Sequence, residues 1–140
     1  MQKAANLSYS DINEGDVYSF KRKISKQDVV DFAKLSGDFN PLHVDADFGK
    51  KSMFKDNIAH GMLAGSLFST LVGMHCPGEK SLYIAQTLNF RVPLYYDDVV
   101  TVKGTVTSKN DSLNIITLKT EILKGDKTIV DGEAKVKIMT

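Results

Sequence analysis

Residues 61–74 constrain the fold more than any other stretch. Met62, Leu63, Leu67, Phe68, Leu71 and Val72 recur at helical spacing and cover much of a helix circumference, with Gly65, Ser66, Ser69 and Gly73 as small gaps among them. A helix apolar on most sides has no face to offer water and belongs inside a fold. Its small residues permit a neighbouring backbone to come close, so a sheet wrapped tightly around it is expected. Ser66 and Ser69 are then expected to have little water nearby, each needing a partner. Pro77-Gly78 closes the helix.

The chain is strand-like from there on. Candidate strands cover residues 81–90, 99–108, 112–123 and 128–138, separated by turn residues at Asp97-Asp98, Asn110-Asp111 and Lys124-Gly125-Asp126-Lys127. Four strands in succession predict an antiparallel meander. In the last, Val130, Gly132, Ala134, Val136 and Ile138 alternate with Ile129, Asp131, Glu133, Lys135 and Lys137, which predicts one buried and one wet face. Gly104, Gly132 and Ala134 leave the inner face short of bulk, as a sheet pressed by a thick helix requires.

Ahead of the apolar helix, Asn13-Glu14-Gly15-Asp16 reads as a turn and residues 17–24 as an edge strand with Tyr18, Phe20 and Ile24 on one face. Ser25, three residues before Asp28, is a hydroxyl cap for a helix that Gly37 ends. Asp31 falls on the solvated face of that helix. Residues 45–54 suggest a helical turn or two. One strand, several helices and then a run of strands is an α+β order in a single domain spanning 1–140.

Composition excludes several classes of function. With 140 residues, 42% hydrophobic and 25% charged, the chain can build one real core, and its interleaved net charge of +1 disfavours nucleic acid. Cys76 is the only cysteine, so there is neither an intrachain disulfide nor a cysteine-rich zinc site, and no chemistry is assigned to it. His43, His60 and His75 lack a spacing that brings three of them to one ion, so no metal is expected. No signal-peptide pattern and no membrane span are legible, which predicts a cytoplasmic protein.

The chemistry is placed in Ser36-Gly37-Asp38-Phe39-Asn40-Pro41-Leu42-His43, where a carboxylate and an imidazole stand five residues apart. Asp38 and Asn40 favour turns and Pro41 biases Asn40 away from the helical region, so a loop is expected and His43 is not simply the next residue on a helical face. Asn40 reads as support for that loop. His60 is read as a residue that fixes it by hydrogen bonding, with a second base as the other reading. The Gly61 N–H, at the positive end of the apolar helix, is a candidate oxyanion donor; the other reading is a glycine that lets the chain into a crowded core.

Asp38-x-Asn40-Pro41-x-His43, preceded by Leu35-Ser36-Gly37 and followed by His60-Gly61-Met62-Leu63, resembles the signature of the MaoC-like (R)-specific enoyl-CoA hydratases, the hydratase 2 family, over most of the chain. The resemblance is to the short single-domain hydratases that feed polyhydroxyalkanoate synthesis. It implies a hot-dog fold, an antiparallel sheet around one central helix, and a homodimer or an assembly built from it. It implies that Asp38 and His43 jointly hold and activate water for addition to an enoyl thioester, and that Ser69 orients the acid or the water. Val72 and Val136 match positions where short-chain members narrow the acyl pocket. Coenzyme A is then part of the substrate, and no separate cofactor is implied. Gln86 either lines the site or satisfies the sheet. Lys50, Lys51, Lys55, Lys80 and Arg91 are candidates for the coenzyme phosphates. A dehydratase acting on acyl carrier protein is the nearest alternative, ahead of a thioesterase on the same fold and a non-catalytic acyl-CoA-binding protein.

Overall fold

The computed structural model describes residues 1–140. Strand β1 (Val17–Lys23) is followed by helices α1 (Lys26–Ser36), α2 (Pro41–Val44), α3 (Ala46–Lys51) and α4 (Gly61–Thr70), and a π turn over Leu71–His75 prolongs the last of these. Strands β2 (Ser81–Gln86), β3 (Asn89–Phe90), β4 (Val99–Asn110), β5 (Ile115–Lys124) and β6 (Lys127–Ile138) complete the chain. The architecture is α+β: one antiparallel sheet in the order β1-β4-β5-β6-β2, with β3 also paired to β6.

Local chemistry explains the elements. At the start of α1, Ser25 Oγ accepts from the Asp28 N–H at 3.0 Å while the Asp28 carboxylate accepts from the Ser25 N–H at 2.9 Å. Burial works to raise the Asp28 carboxyl, but the hydrogen bonds from Ser25 and Arg22 together hold it below the usual carboxylate range. Gly37, at φ +80°, ends the helix in the left-handed conformation that glycine adopts without strain.

The meander prediction holds only for β4, β5 and β6. The stretch 81–90 is two strands rather than one, and both lie on the far side of β6 instead of beside β4. The break has a steric origin in β6, where a Cβ on Gly132 would lie 1.8 Å from the Thr87 carbonyl oxygen. Gly132 therefore makes room for the backbone of the β2–β3 junction and not for the helix. Strand β1 is the opposite edge, as its sequence suggested.

Gly104 does serve the helix. A Cβ there would sit 2.8 Å from Leu71 Cδ2, so the π turn seats its leucine directly on the strand backbone. Phe68, Leu71 and Val72 are buried between helix and sheet, as are Val102 and Val106 of β4 and Leu118 and Ile122 of β5. The wrap is incomplete, however. Met62, Ser66 and Ser69 lie on an exposed side of α4, so the two serines are not short of water in the single chain; Ser66 Oγ donates to the Leu63 carbonyl at 2.6 Å. The helix was expected to be enclosed, and one stripe of it is open. Cys76 is fully buried beneath the end of the π turn, and burial pushes its thiol up to about 12.

If the Leu71–Gly104 contact sets the helix position, Gly104→Val overpacks it and lowers the unfolding free energy by about 1–3 kcal/mol. Urea unfolding checks this, and a variant as stable as the parent would contradict it.

Candidate active site

The backbone around Asp38 is built from short-range hydrogen bonds. The Asp38 N–H donates to Ser36 Oγ at 3.2 Å, and Asp38 Oδ1 accepts from the Asn40 N–H at 3.1 Å. Asn40 Oδ1 in turn accepts from the Leu42 N–H at 3.0 Å and caps α2, with Pro41 in the first turn. The expected loop ends earlier than the sequence suggested, because His43 sits on this helical turn. Proline at a first helical position lacks only an N–H that would have had no partner, and its fixed φ suits the helix.

The Nδ1–H of His43 donates to the Ile58 carbonyl at 2.8 Å, which directs Nε2 towards Asp38, 3.9 Å from Oδ2. Tyr96 OH donates to the His43 carbonyl and ties α2 to the segment before β4. His60, 2% exposed, donates from Nε2 to the Asp38 carbonyl at 3.0 Å and lies 4.0 Å from Asp38 Oδ2. Its ring stacks on His43 with centroids 3.9 Å apart and meets Phe32 at 4.9 Å. Its Nδ1 is buried without a hydrogen-bond partner. The loop-fixing geometry expected of His60 is therefore present. The Asp38 side chain is 51% exposed in the single chain.

Sequence reasoning missed Asn57. It is 4% exposed, and its Nδ2 donates to the carbonyls of Leu42 at 2.9 Å and Asp45 at 2.8 Å, pinning the α2–α3 junction. Gly49 lies so close that an added Cβ would come within 2.6 Å of the Asn57 amide. Nothing in Asp56-Asn57 distinguishes this residue from an ordinary polar turn, because its partners are carbonyls distant in sequence.

Gly61 opens α4, and its N–H has no acceptor within the chain. The ring of Phe90 lies over it, 2.8 Å from where a Cβ would stand. Beside the two is a cavity of about 430 Å³, lined by His60, Gly61, Met62, Phe90, Leu94 and mostly apolar neighbours. Arg91 is the one side chain of fixed charge on its wall, held by Asp131 through contacts of 3.2–3.3 Å. Those hydrogen bonds keep the Asp131 carboxyl below the usual range.

The remaining predicted residues are more dispersed. Ser69 lies near the C-terminal end of α4, roughly 12 Å along the axis from Gly61, and makes no hydrogen bond to Asp38 within the chain. Val72 and Val136 share one core cluster at 1% and 0% exposure, and neither lines the cavity. Gln86 Nε2 donates to Thr120 Oγ1 and the Thr87 carbonyl, and Gln86 Oε1 accepts from Tyr83 OH, so the sheet satisfies it. Lys50 and Lys51 are exposed in the last turn of α3, Lys55 is exposed beyond it, and Lys80 precedes β2; only Arg91 of the five cations reaches the cavity.

Donor atoms of Asp38, His43 and His60 lie within 4.8 Å of one another, a convergence that the spacing argument did not foresee. The set suits a proton-transfer site better than a metal centre. His60 Nε2 already donates to the Asp38 carbonyl, which occupies one of the ring nitrogens that a metal would need. His75 is elsewhere, stacked on Phe20 at 4.9 Å.

An acid and an imidazole face each other here without a direct hydrogen bond, next to an unpaired helix N-terminal N–H, an arrangement with the groups that acid–base chemistry on a carbonyl substrate requires. The chain belongs to the MaoC-like family, whose domain model matches residues 11–127. It is 39% identical to the (R)-specific enoyl-CoA hydratase of Aeromonas caviae over 94% of this chain and 99% of that one. It is 38% identical to the 3-hydroxybutyryl-CoA dehydratase of Methylorubrum extorquens over 94% of this chain and 84% of that protein. The fold matches the R-hydratase PhaJ1 of Pseudomonas aeruginosa with a TM-score of 0.93 and 34% identity, covering 97% of this chain and 88% of the other. These neighbours are hot-dog hydratases, and the sheet curled over α4 is that fold.

Truncating Asn57 to alanine removes the side-chain donor that ties the Leu42 and Asp45 carbonyls together, and each hydrogen bond lost costs about 0.5–1.5 kcal/mol. Asn57→Ala is expected to lower the urea midpoint and also kcat, because α2 carries His43. Loss of stability with an unchanged kcat would show that α2 is held without it.

Proposed function

We propose that this chain is an (R)-specific enoyl-CoA hydratase, adding water to trans-2-enoyl-CoA to give (R)-3-hydroxyacyl-CoA and catalysing the reverse dehydration. The observation that carries the reading is the 3.9 Å gap between Asp38 Oδ2 and His43 Nε2. It is too long for a direct hydrogen bond, yet one water at about 2.8 Å from each group bridges it. The relatives' names supply the stereochemistry and the coenzyme.

With the thioester carbonyl on the Gly61 N–H, the helix N-terminus stabilises the negative charge that develops on that oxygen. Polarisation makes C3 electrophilic. As the bridging water adds to C3, the Asp38–His43 pair takes one of its protons, and the pair returns a proton to C2 as the enolate collapses. Atoms balance with water and substrate alone, so no cofactor takes part.

Three further features belong to this reading. A homodimer forms through β2, an unpaired sheet edge on which Leu82 is 51% and Ile84 is 49% exposed. The acyl chains are short, in keeping with the hydroxybutyryl substrate in one relative's name. The physiological role is supply of (R)-3-hydroxyacyl units for polyester synthesis in the cytoplasm; no helix of the chain is long and apolar enough to cross a membrane.

Asp38→Asn and His43→Gln are each expected to lower kcat for crotonyl-CoA hydration by about 10²–10⁴-fold. Gly61→Pro removes the donor at a position where proline is tolerated, while Gly61→Ala adds a Cβ and keeps the N–H. The proline variant is expected to lose about 10²-fold more kcat than the alanine variant. Steady-state assays check both, and undiminished turnover in the Asp38 or His43 variant would remove the reading.

A further inference from the structure

We propose that Tyr96 is a positioning residue for the hydration step, its hydroxyl on the His43 carbonyl holding the imidazole at the distance from Asp38 that one water spans. The catalytic role rests on the hydratase reading; the hold on His43 does not.

His43 lies in a helix too short to hold itself. Helix α2 runs only from Pro41 to Val44, and a helix leaves its last four carbonyls without partners inside it. Two of these find donors nearby: the Asp45 N–H reaches the Pro41 carbonyl at 2.9 Å, and Asn57 Nδ2 reaches that of Leu42 at 2.9 Å. No backbone N–H reaches the carbonyl of His43, and the Tyr96 hydroxyl takes that place.

The same segment of chain governs the other end of His43. The imidazole Nδ1–H donates to the Ile58 carbonyl at 2.8 Å. Ile58 pairs with Tyr95 in an antiparallel bridge, and the adjoining Ala59 N–H donates to the Leu94 carbonyl at 2.8 Å. Leu94, Tyr95 and Tyr96 therefore hold His43 through its ring and through its backbone at once. That segment is in turn fastened to the sheet. The Tyr95 N–H donates to Asp98 Oδ2 at 2.9 Å, and Lys124 Nζ of β5 meets Asp98 Oδ1 at 2.6 Å. The Ile24 N–H, just beyond β1, donates to the Asp98 carbonyl at 2.9 Å.

Asp38 has a different support, since its carbonyl is held by His60 at the start of α4. The 3.9 Å between Oδ2 and Nε2 is thus set by two separate frames, the central helix for the acid and the sheet for the imidazole. Tyr96 is the one side chain that bonds the His43 backbone to the second frame. A misplacement of about 1 Å at a reacting group costs up to about 10²-fold in rate. Tyr96 packs half-buried against the core around α4 and lines no part of the cavity, so it acts through His43. Burial and, after it, the Asp56 carboxylate push its phenol up, which keeps it a donor at neutral pH.

The test is Tyr96→Phe in the whole chain, which keeps the ring and removes the hydroxyl. For crotonyl-CoA, kcat is expected to fall about tenfold with KM within about twofold, because alignment and not substrate binding is lost. Placed in a His43→Gln background, the same substitution is expected to cost no further kcat, since the group it aligns is absent. The imidazole Cε1–H signals in NMR, assigned with histidine-to-glutamine variants, read the ring without turnover. Tyr96→Phe is expected to shift or broaden the signal of His43 and to leave that of His75, which is stacked on Phe20. An unchanged kcat overturns the proposal, as does an equal loss in the His43→Gln background, which would mean a general effect on the fold. A change confined to KM also overturns it, by assigning Tyr96 to substrate binding. A His43 signal that does not respond overturns it whatever the activity. Wild-type protein that turns over no crotonyl-CoA, with the His43 signal displaced in the variant, supports the hold on His43 and contradicts the hydratase reading instead.

Discussion

The seating of Leu71 on Gly104 is the contact on which the rest of the structure depends. A helix with apolar residues on most of its sides must be surrounded, and at Leu71 the sheet backbone comes this close because Gly104 carries no side chain. Because this contact fixes the depth of α4, it also fixes the helix N-terminus, where Gly61 presents an N–H and His60 stands one residue earlier. The active-site geometry is thus inherited from core packing at the other end of the same helix.

From that anchor the site is suspended largely by main-chain oxygens. His60 holds the Asp38 carbonyl, His43 is oriented by the Ile58 carbonyl, and Asn57 ties together the carbonyls of Leu42 and Asp45. Asp38 and His43 are each held by a bond that leaves Oδ2 and Nε2 free to face each other. Asp38 Oδ2 and His43 Nε2 face each other without spending their hydrogen-bonding capacity on one another. That arrangement suits a pair whose task is to share a water and pass one proton through it.

Much of this was legible in the sequence wherever the governing interactions are local. The Ser25–Asp28 capping box, the Gly37 stop and the apolar run of α4 involve residues within a few positions, and all are present in the structure. Placement of β2 across β6 was not legible, because it follows from the approach of Thr87 to Gly132, residues far apart in the chain. Asn57 escaped notice for the same reason. Ser69 was read as buried because helix hydrophobicity does not reveal which stripe a single chain leaves open. Val72 and Val136 came from family resemblance, and the structure packs both into core, while the cavity lies near the other end of α4.

The central claim is that Asp38, His43 and the Gly61 N–H act together on an enoyl thioester at C3 and not on its carbonyl carbon. The measurement that tests it most directly is the identity and configuration of the product formed from crotonyl-CoA by the wild-type protein, resolved by chiral chromatography after hydrolysis. The account predicts 3-hydroxybutyryl-CoA of the R configuration with no release of free coenzyme A thiol. Release of the thiol with crotonate, or a product of the S configuration, would contradict it.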